Sequence, residues 1–109
     1  MYRLSLDFID EAYLLSSKYP TEEKYEMARQ LRRSSVSVAL NIAEGSGKKT
    51  KKDFANFIRM AIGSLLESVA NMKIAVRRKY ITENNLEKSD PLVRELYFKL
   101  IALENNLRE

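Results

Sequence analysis

Residues Leu31–Glu67 read LRRSSVSVALNIAEGSGKKTKKDFANFIRMAIGSLLE, and this stretch decides the fold. Its first part is amphipathic and runs to Asn41-Ile42-Ala43-Glu44-Gly45, where the glycine is expected to take the left-handed conformation that ends a helix. Ser46-Gly47-Lys48-Lys49 follows as a lysine-rich turn. Thr50-Lys51-Lys52-Asp53 then has the form of a capping box, with Thr50 opening a second helix and Asp53 placed to reach back to its amide. From Phe54 to Val76, 15 of 23 residues are apolar and only Arg59, Glu67 and Lys73 are charged. The stretch is therefore a helical hairpin with a basic tip.

Outward from this hairpin, the pattern predicts four helices. The first covers about Tyr2 to Lys18, with Met1, Ser5, Phe8, Ala12, Leu15 and Tyr19 spaced by fours and threes along one seam. Tyr19-Pro20 ends it, because a residue before proline is pushed out of the α region. Thr21 is expected to cap the second helix, whose seam is Ala28, Leu31, Ser35, Val38 and Ile42. The third helix should run to about Lys79. Tyr80 to Lys88 reads as a connector, and Ser89-Asp90-Pro91 as the start of a fourth helix, with Asp90 as its N-cap and proline at the tolerated first position. That helix carries Val93, Leu96, Leu100, Leu103 and Leu107. Long amphipathic helices with short connections predict an all-α fold, an antiparallel up-down-up-down four-helix bundle formed as a single domain over residues 1–109.

Composition narrows the chemistry. There is no histidine, which removes the commonest general base and metal ligand, and no cysteine, which removes disulfides and thiolate metal sites. A di-iron bundle needs Glu-x-x-His pairs and is excluded. Nothing in the pattern marks an enclosed pocket, so no catalytic residue, cofactor or metal ligand is assigned and no enzymatic activity is expected. No run approaches the roughly 18 apolar residues of a membrane span. Asp7, Asp10 and Glu11 interrupt the start, so a cytoplasmic protein without a membrane partner is expected.

Charge is distributed unevenly. Residues 29–79 hold 12 Lys and Arg against 3 Asp and Glu, whereas residues 1–28 hold 3 against 6 and residues 80–109 hold 4 against 6. A basic centre between acidic ends suggests that the hairpin faces something negative. Lys48, Lys49, Lys51 and Lys52 crowd a helix N-terminus, whose backbone amides add partial positive charge. Arg29, Arg33 and Arg59, with Arg77 and Arg78, would extend this surface over RNA or DNA phosphates. The alternative is a solvated turn whose lysines serve solubility. Aromatics near the lysines are limited to Phe54 and Phe57, both core-like, which favours backbone contacts without sequence reading.

The third helix carries more apolar surface than the roughly 100° arc one small core needs. Either it sits deep in its own bundle, or a second face packs on another copy. The second reading is favoured, with Val36, Leu40, Ile62, Leu66 and Val69 as interface residues of a homo-oligomer. Asn41 and Glu44 are expected to close the second helix. Glu44 or Glu67 is expected to pair with an arginine such as Arg32, Arg33 or Arg59, and Gly63-Ser64 to permit a close helix crossing.

Gln30-Leu31-Arg32-Arg33-Ser34-Ser35-Val36-Ser37, Asn41-Ile42-Ala43-Glu44-Gly45, Asp53-Phe54 and Ala61-Ile62-Gly63-Ser64-Leu65-Leu66-Glu67 together resemble the four-helix-bundle family named for proteins encoded in 23S rRNA intervening sequences. The resemblance follows the helix order of nearly the whole chain and is most specific over residues 30–67. Ser34-Ser35 stands where that family more often has two alanines, which keeps the positions small. The resemblance implies a compact antiparallel bundle and assembly into homopentamers. Related accessory proteins of diversity-generating retroelements form basic pentamers that bind nucleic acid and a reverse transcriptase. The implied function is a non-catalytic oligomeric scaffold for RNA or DNA. The alternative is an adaptor that docks a protein partner, such as a nucleic-acid-bound enzyme, without touching nucleic acid itself.

Overall fold

In the computed structural model of the chain, every residue is described except Lys24 and, beyond its backbone, Glu23. The helices are α1 (Tyr2–Ser16), α2 (Met27–Ser46), α3 (Lys51–Arg77) and α4 (Glu83–Arg108), with a short 3-10 turn at Thr21–Glu23. Each helix packs on the next, and α4 closes back on α1. The hydroxyls of Ser37 and Ser64 lie 2.9 Å apart and those of Ser34 and Ser68 2.7 Å apart, so residue numbers rise along α2 as they fall along α3. Arg59 meets Glu104 and Asn56 meets Arg108 in the same antiparallel sense between α3 and α4. The expected four-helix bundle is what forms, with extents of 43 × 25 × 19 Å.

The seams read from the sequence form the core. Ser5, Phe8, Ala12, Leu15 and Tyr19 are buried along α1 and its exit, and Ala28, Leu31, Ser35, Val38 and Ile42 along α2. They meet Ile58, Ala61, Ile62, Leu65, Met72 and Ala75 of α3 and Leu96 and Leu100 of α4. Burying a side chain the size of Leu or Phe stabilises by roughly 1.5–3 kcal/mol, so this shared seam outweighs the local helix preferences of any one segment.

Tertiary contacts move three of the expected boundaries. α2 begins at Met27 rather than after Thr21, and its N-cap Glu26 makes no side-chain capping bond; Lys24, inside the expected span, lies outside the described residues. The start is fixed from a distance instead. The Tyr19 hydroxyl donates to Asn71 Oδ1 at 2.8 Å, and Asn71 Nδ2 donates to the Met27 carbonyl at 3.0 Å. Burial raises the Tyr19 phenol well above its usual range, so it stays a donor.

Gly45 does not stop α2, which continues through it to Ser46 and ends on Gly47 at φ −89°. Gly45 is there for closeness, because a Cβ on it would stand 2.8 Å from Phe57 Cβ and 2.9 Å from Phe54 Cδ1. The left-handed position is instead Lys79, at φ 65°, just after α3. Around it, the Tyr80 amide donates to the Ala75 carbonyl at 2.8 Å and the Lys79 amide to that of Val76 at 3.0 Å, the paired bonds of a Schellman ending.

α4 starts eight residues before the expected proline. Thr82 Oγ1 accepts from the Asn85 amide at 3.0 Å, and Asn85 Oδ1 accepts from the Thr82 amide at 2.9 Å, a full capping box. Pro91 is consequently inside the helix, and Asp90 accepts from Arg94 at 2.7 Å rather than capping. At the start of α3, half of the expected capping box forms: Thr50 accepts from the Asp53 amide at 3.1 Å, but the Asp53 side chain does not return a bond to the Thr50 amide.

Candidate nucleic-acid interface

The ring order of the helices turns the uneven charge of the sequence into an uneven surface. α2 and α3, which carry most of residues 29–79, lie side by side, while the acidic flanks form α1 and α4 on the other side. Lys48, Lys49, Lys51 and Lys52 are all exposed where α2 hands over to α3. Lys48 is partly engaged, with its ammonium 3.3 Å from Glu44 and 5.0 Å from the Phe57 ring centre. Lys49, Lys51 and Lys52 form no ion pair among the described residues. They stand just before and within the first turn of α3, where only Asp53 is acidic.

The arginines expected beside them are elsewhere. Arg29 and Arg33 sit in the first half of α2, about 25 Å along the helix from the lysine turn at 1.5 Å per residue. Arg77 and Arg78 lie at the far end of α3, about 40 Å from Lys51 by the same rise. Both are exposed. Arg59 points to a third place. Its guanidinium binds both oxygens of Glu104, with Nε 3.2 Å from Oε2, and Arg108 binds the same carboxylate at 2.9 Å. Glu104 is only 5% exposed, and the Arg59 hydrogen bonds first, then those of Arg108, hold its carboxyl below the usual range against the opposing effect of burial. The charge of Arg59 is matched inside the chain, and the residues expected to form a single basic surface are dispersed over the lysine turn, the Arg29 and Arg33 stretch of α2 and the Arg77-Arg78 end of α3.

The signature polar residues are placed differently from expectation. Glu44 pairs with Lys48 instead of an arginine. Glu67 is exposed and pairs with no described residue; it lies in an open polar cleft with Gln30, Arg33, Ser37 and Ser64. Asn41 does not close α2 but donates back to the Ser37 carbonyl at 2.9 Å. Gly63 has open space around it rather than a crossing helix, whereas Ser64 does meet Ser37.

Of the expected interface residues, Ile62 is 1% exposed within the chain's own core and is unavailable to a partner, since it lies on the inner face of α3 with Ile58 and Leu65. Val69 is half-buried against the same core, and Val36 is half-buried on α2. Leu40 and Leu66 are open, at 63% and 51%. Met60 and Ile74, which the sequence pattern did not single out, are exposed on α3 beside the small residues Gly63 and Ala70. No helix among the described residues is long and apolar enough to cross a membrane.

Sequence reasoning also missed an aromatic component. Tyr25 is 81% exposed and shares a groove with Thr21, Arg29 and Arg32. Tyr13 of α1 shares a second groove with Arg29, Arg32, Arg33, Val36 and Leu40, and the Arg32 guanidinium stands over its ring at 5.9 Å. Tyr13 is separated from these arginines by sixteen or more positions, so only the α1–α2 packing brings them together.

Comparison with known proteins agrees with this fold. No curated protein matches the chain. Among solved structures, it is similar to the crystal structure of a protein with unknown function from the S23 ribosomal protein family of Bacteroides thetaiotaomicron VPI-5482, at 26% identity over 94% of this chain and 96% of that one, with a TM-score of 0.85. The sequence also matches the family described as 23S rRNA-intervening sequence protein, and neither description names a catalytic activity. The match spans residues 1–102, and the chain belongs to the 23S rRNA-intervening sequence protein family.

Proposed function

We propose that this chain is a non-catalytic, homo-oligomeric scaffold that binds RNA or DNA through phosphate contacts from its α2–α3 hairpin. The observation that carries the reading is the segregation of charge. The basic hairpin forms one side of the bundle, and its lysine turn presents Lys49, Lys51 and Lys52 to solvent with no described carboxylate paired to them. Unpaired ammonium groups around a helix N-terminus favour a phosphate there. The exposed Leu66, Met60 and Ile74 of α3 support assembly, since apolar side chains of this size gain by being covered. Five copies is the number the family resemblance favours.

Binding of a labelled mixed-sequence oligonucleotide, measured against salt, tests this. Log affinity should fall linearly with log salt, by about 0.7–0.9 per phosphate neutralised. Replacing Lys48, Lys49, Lys51 and Lys52 by Gln should flatten the slope and weaken binding equally for all sequences. Light scattering should return a mass several times the 12.7 kDa protomer. A monomer that binds no nucleic acid at low salt would leave the adaptor reading in its place.

A further inference from the structure

We infer that the first half of α2, together with Tyr13 and Tyr25, is a binding track for single-stranded nucleic acid, in which tyrosine rings stack on bases while arginines hold the phosphates. The inference rests on the nucleic-acid reading above and assigns the strand to a different surface from the lysine turn.

Continuity is the first argument. The groove of Tyr25 and the groove of Tyr13 share Arg29 and Arg32 as common walls. Beyond the second groove, Arg33 and Ser37 are shared with the cleft that holds Gln30 and Ser64. Three depressions thus join into one path across α2, where a flexible strand can lie.

Charge complementarity is the second. Arg29, Arg32 and Arg33 line the first two grooves, and no described carboxylate lines either one. Glu67 enters only in the third. Arg29 and Arg33 carry no ion pair among the described residues, so their forks are available to phosphate oxygens.

The third argument separates single strands from duplexes. Tyr25 has almost no packing to lose, and its ring is open to a ligand. Tyr13, at 47% exposure with Arg32 over its ring, is an arginine-backed platform. At the lysine turn, by contrast, Phe54 and Phe57 are half-buried and packed close against Gly45 of α2. Free aromatic faces matter only to unpaired bases, because in a duplex the faces are stacked on each other. The lysine turn is accordingly suited to any polyanion, and the tyrosine–arginine track to strands with accessible bases.

The chain contains no tryptophan, so Tyr25→Trp introduces a single fluorophore on the track. Added to this variant, a 12-nucleotide uridine-rich RNA should quench that fluorescence, whereas a 12-base-pair DNA duplex and polyglutamate should not. In parallel, Tyr25→Ala should weaken single-strand binding by about 5- to 150-fold, the range for loss of one stacked base, and leave duplex binding unchanged. An exposed side chain makes either variant compatible with an unchanged unfolding transition, which circular dichroism checks. If wild-type protein binds single strands, but the Tyr25→Trp fluorescence is not quenched and Tyr25→Ala binds as tightly as wild type, the track is refuted and phosphate binding at the lysine turn stands. Equal quenching by polyglutamate would assign the groove to acidic protein segments, and quenching on raising protein concentration alone would assign it to a second copy. If the wild type binds no nucleic acid at all, both readings fall.

Discussion

Gly45 of α2 lies so near Phe57 of α3 that a Cβ on the glycine would stand 2.8 Å from the Cβ of the phenylalanine. Both atoms are close to their backbones, so no rotamer change relieves the contact and the helices must separate. Gly45→Ala gains about 1 kcal/mol of helix propensity but incurs an overpacking cost of about 1–3 kcal/mol, and should destabilise on balance by up to about 2 kcal/mol. Gly63 is the internal control. It is exposed, mid-helix, and nothing lies within 4 Å of where its Cβ would be. Gly63→Ala should stabilise by about 0.5–1 kcal/mol. Urea unfolding midpoints of the two variants should move in opposite directions; equal shifts of one sign would contradict the close approach at Gly45.

A second prediction concerns acid. Glu104 has a folded-state pKa lowered from the usual 4.5, chiefly by its hydrogen bonds to Arg59. A group depressed in this way adds stability above its unfolded pKa, and that contribution disappears as pH falls through the folded value. The loss is therefore expected below about pH 4.5. Glu104→Gln should cost about 1–2 kcal/mol at pH 7, the lower part of the range for charged hydrogen bonds because the Arg59 side chain is 56% exposed. The gap between wild type and variant should narrow as the buffer is taken from pH 5 to pH 3. A gap of constant size over that interval would show that the carboxylate charge is not what stabilises the contact.

The parts of this fold that are legible in the sequence are those written in local spacing. The seams of α1 and α2, the Thr50 cap and the handover between α2 and α3 all follow from residues within a few turns of one another. What is not legible depends on distant partners. The Arg59–Glu104 clamp joins positions 45 apart, and the Tyr19–Asn71–Met27 relay sets the start of α2 from two other elements. The Arg29–Arg33 patch and Tyr13 belong to one surface only after α1 folds onto α2. Gly45 misleads because a helix-ending glycine and a close-contact glycine have the same local sequence, and only Phe54 and Phe57 across the hairpin distinguish them. One local signal is present but overshadowed. Thr82-Glu83-Asn84-Asn85 is a capping box with asparagine in place of the usual glutamate or glutamine, and the stronger expectation attached to Pro91 outweighs it.

That proline supplies the last prediction. Pro91 is the ninth residue of α4, well beyond the first turn where a missing amide hydrogen costs nothing. Its ring crowds the Glu87 carbonyl and leaves that carbonyl without its helical donor, a defect of about 3 kcal/mol in a helix interior. The helix persists because it is fastened on both sides of the defect. Ser89 is buried and donates to Glu11 of α1 at 2.8 Å, and Leu96 and Leu100 are fully buried below it. Replacing Pro91 by alanine restores the donor, but it also frees the unfolded chain, which returns about 0.4–1 kcal/mol to the denatured state. Since Pro91 is exposed, the replacement leaves no cavity. Pro91→Ala should therefore stabilise the protein by about 2 kcal/mol, read as a higher urea midpoint at unchanged slope. If α4 instead began at Asp90, with Pro91 at its first position, the same replacement would remove a favourable residue and lower the midpoint.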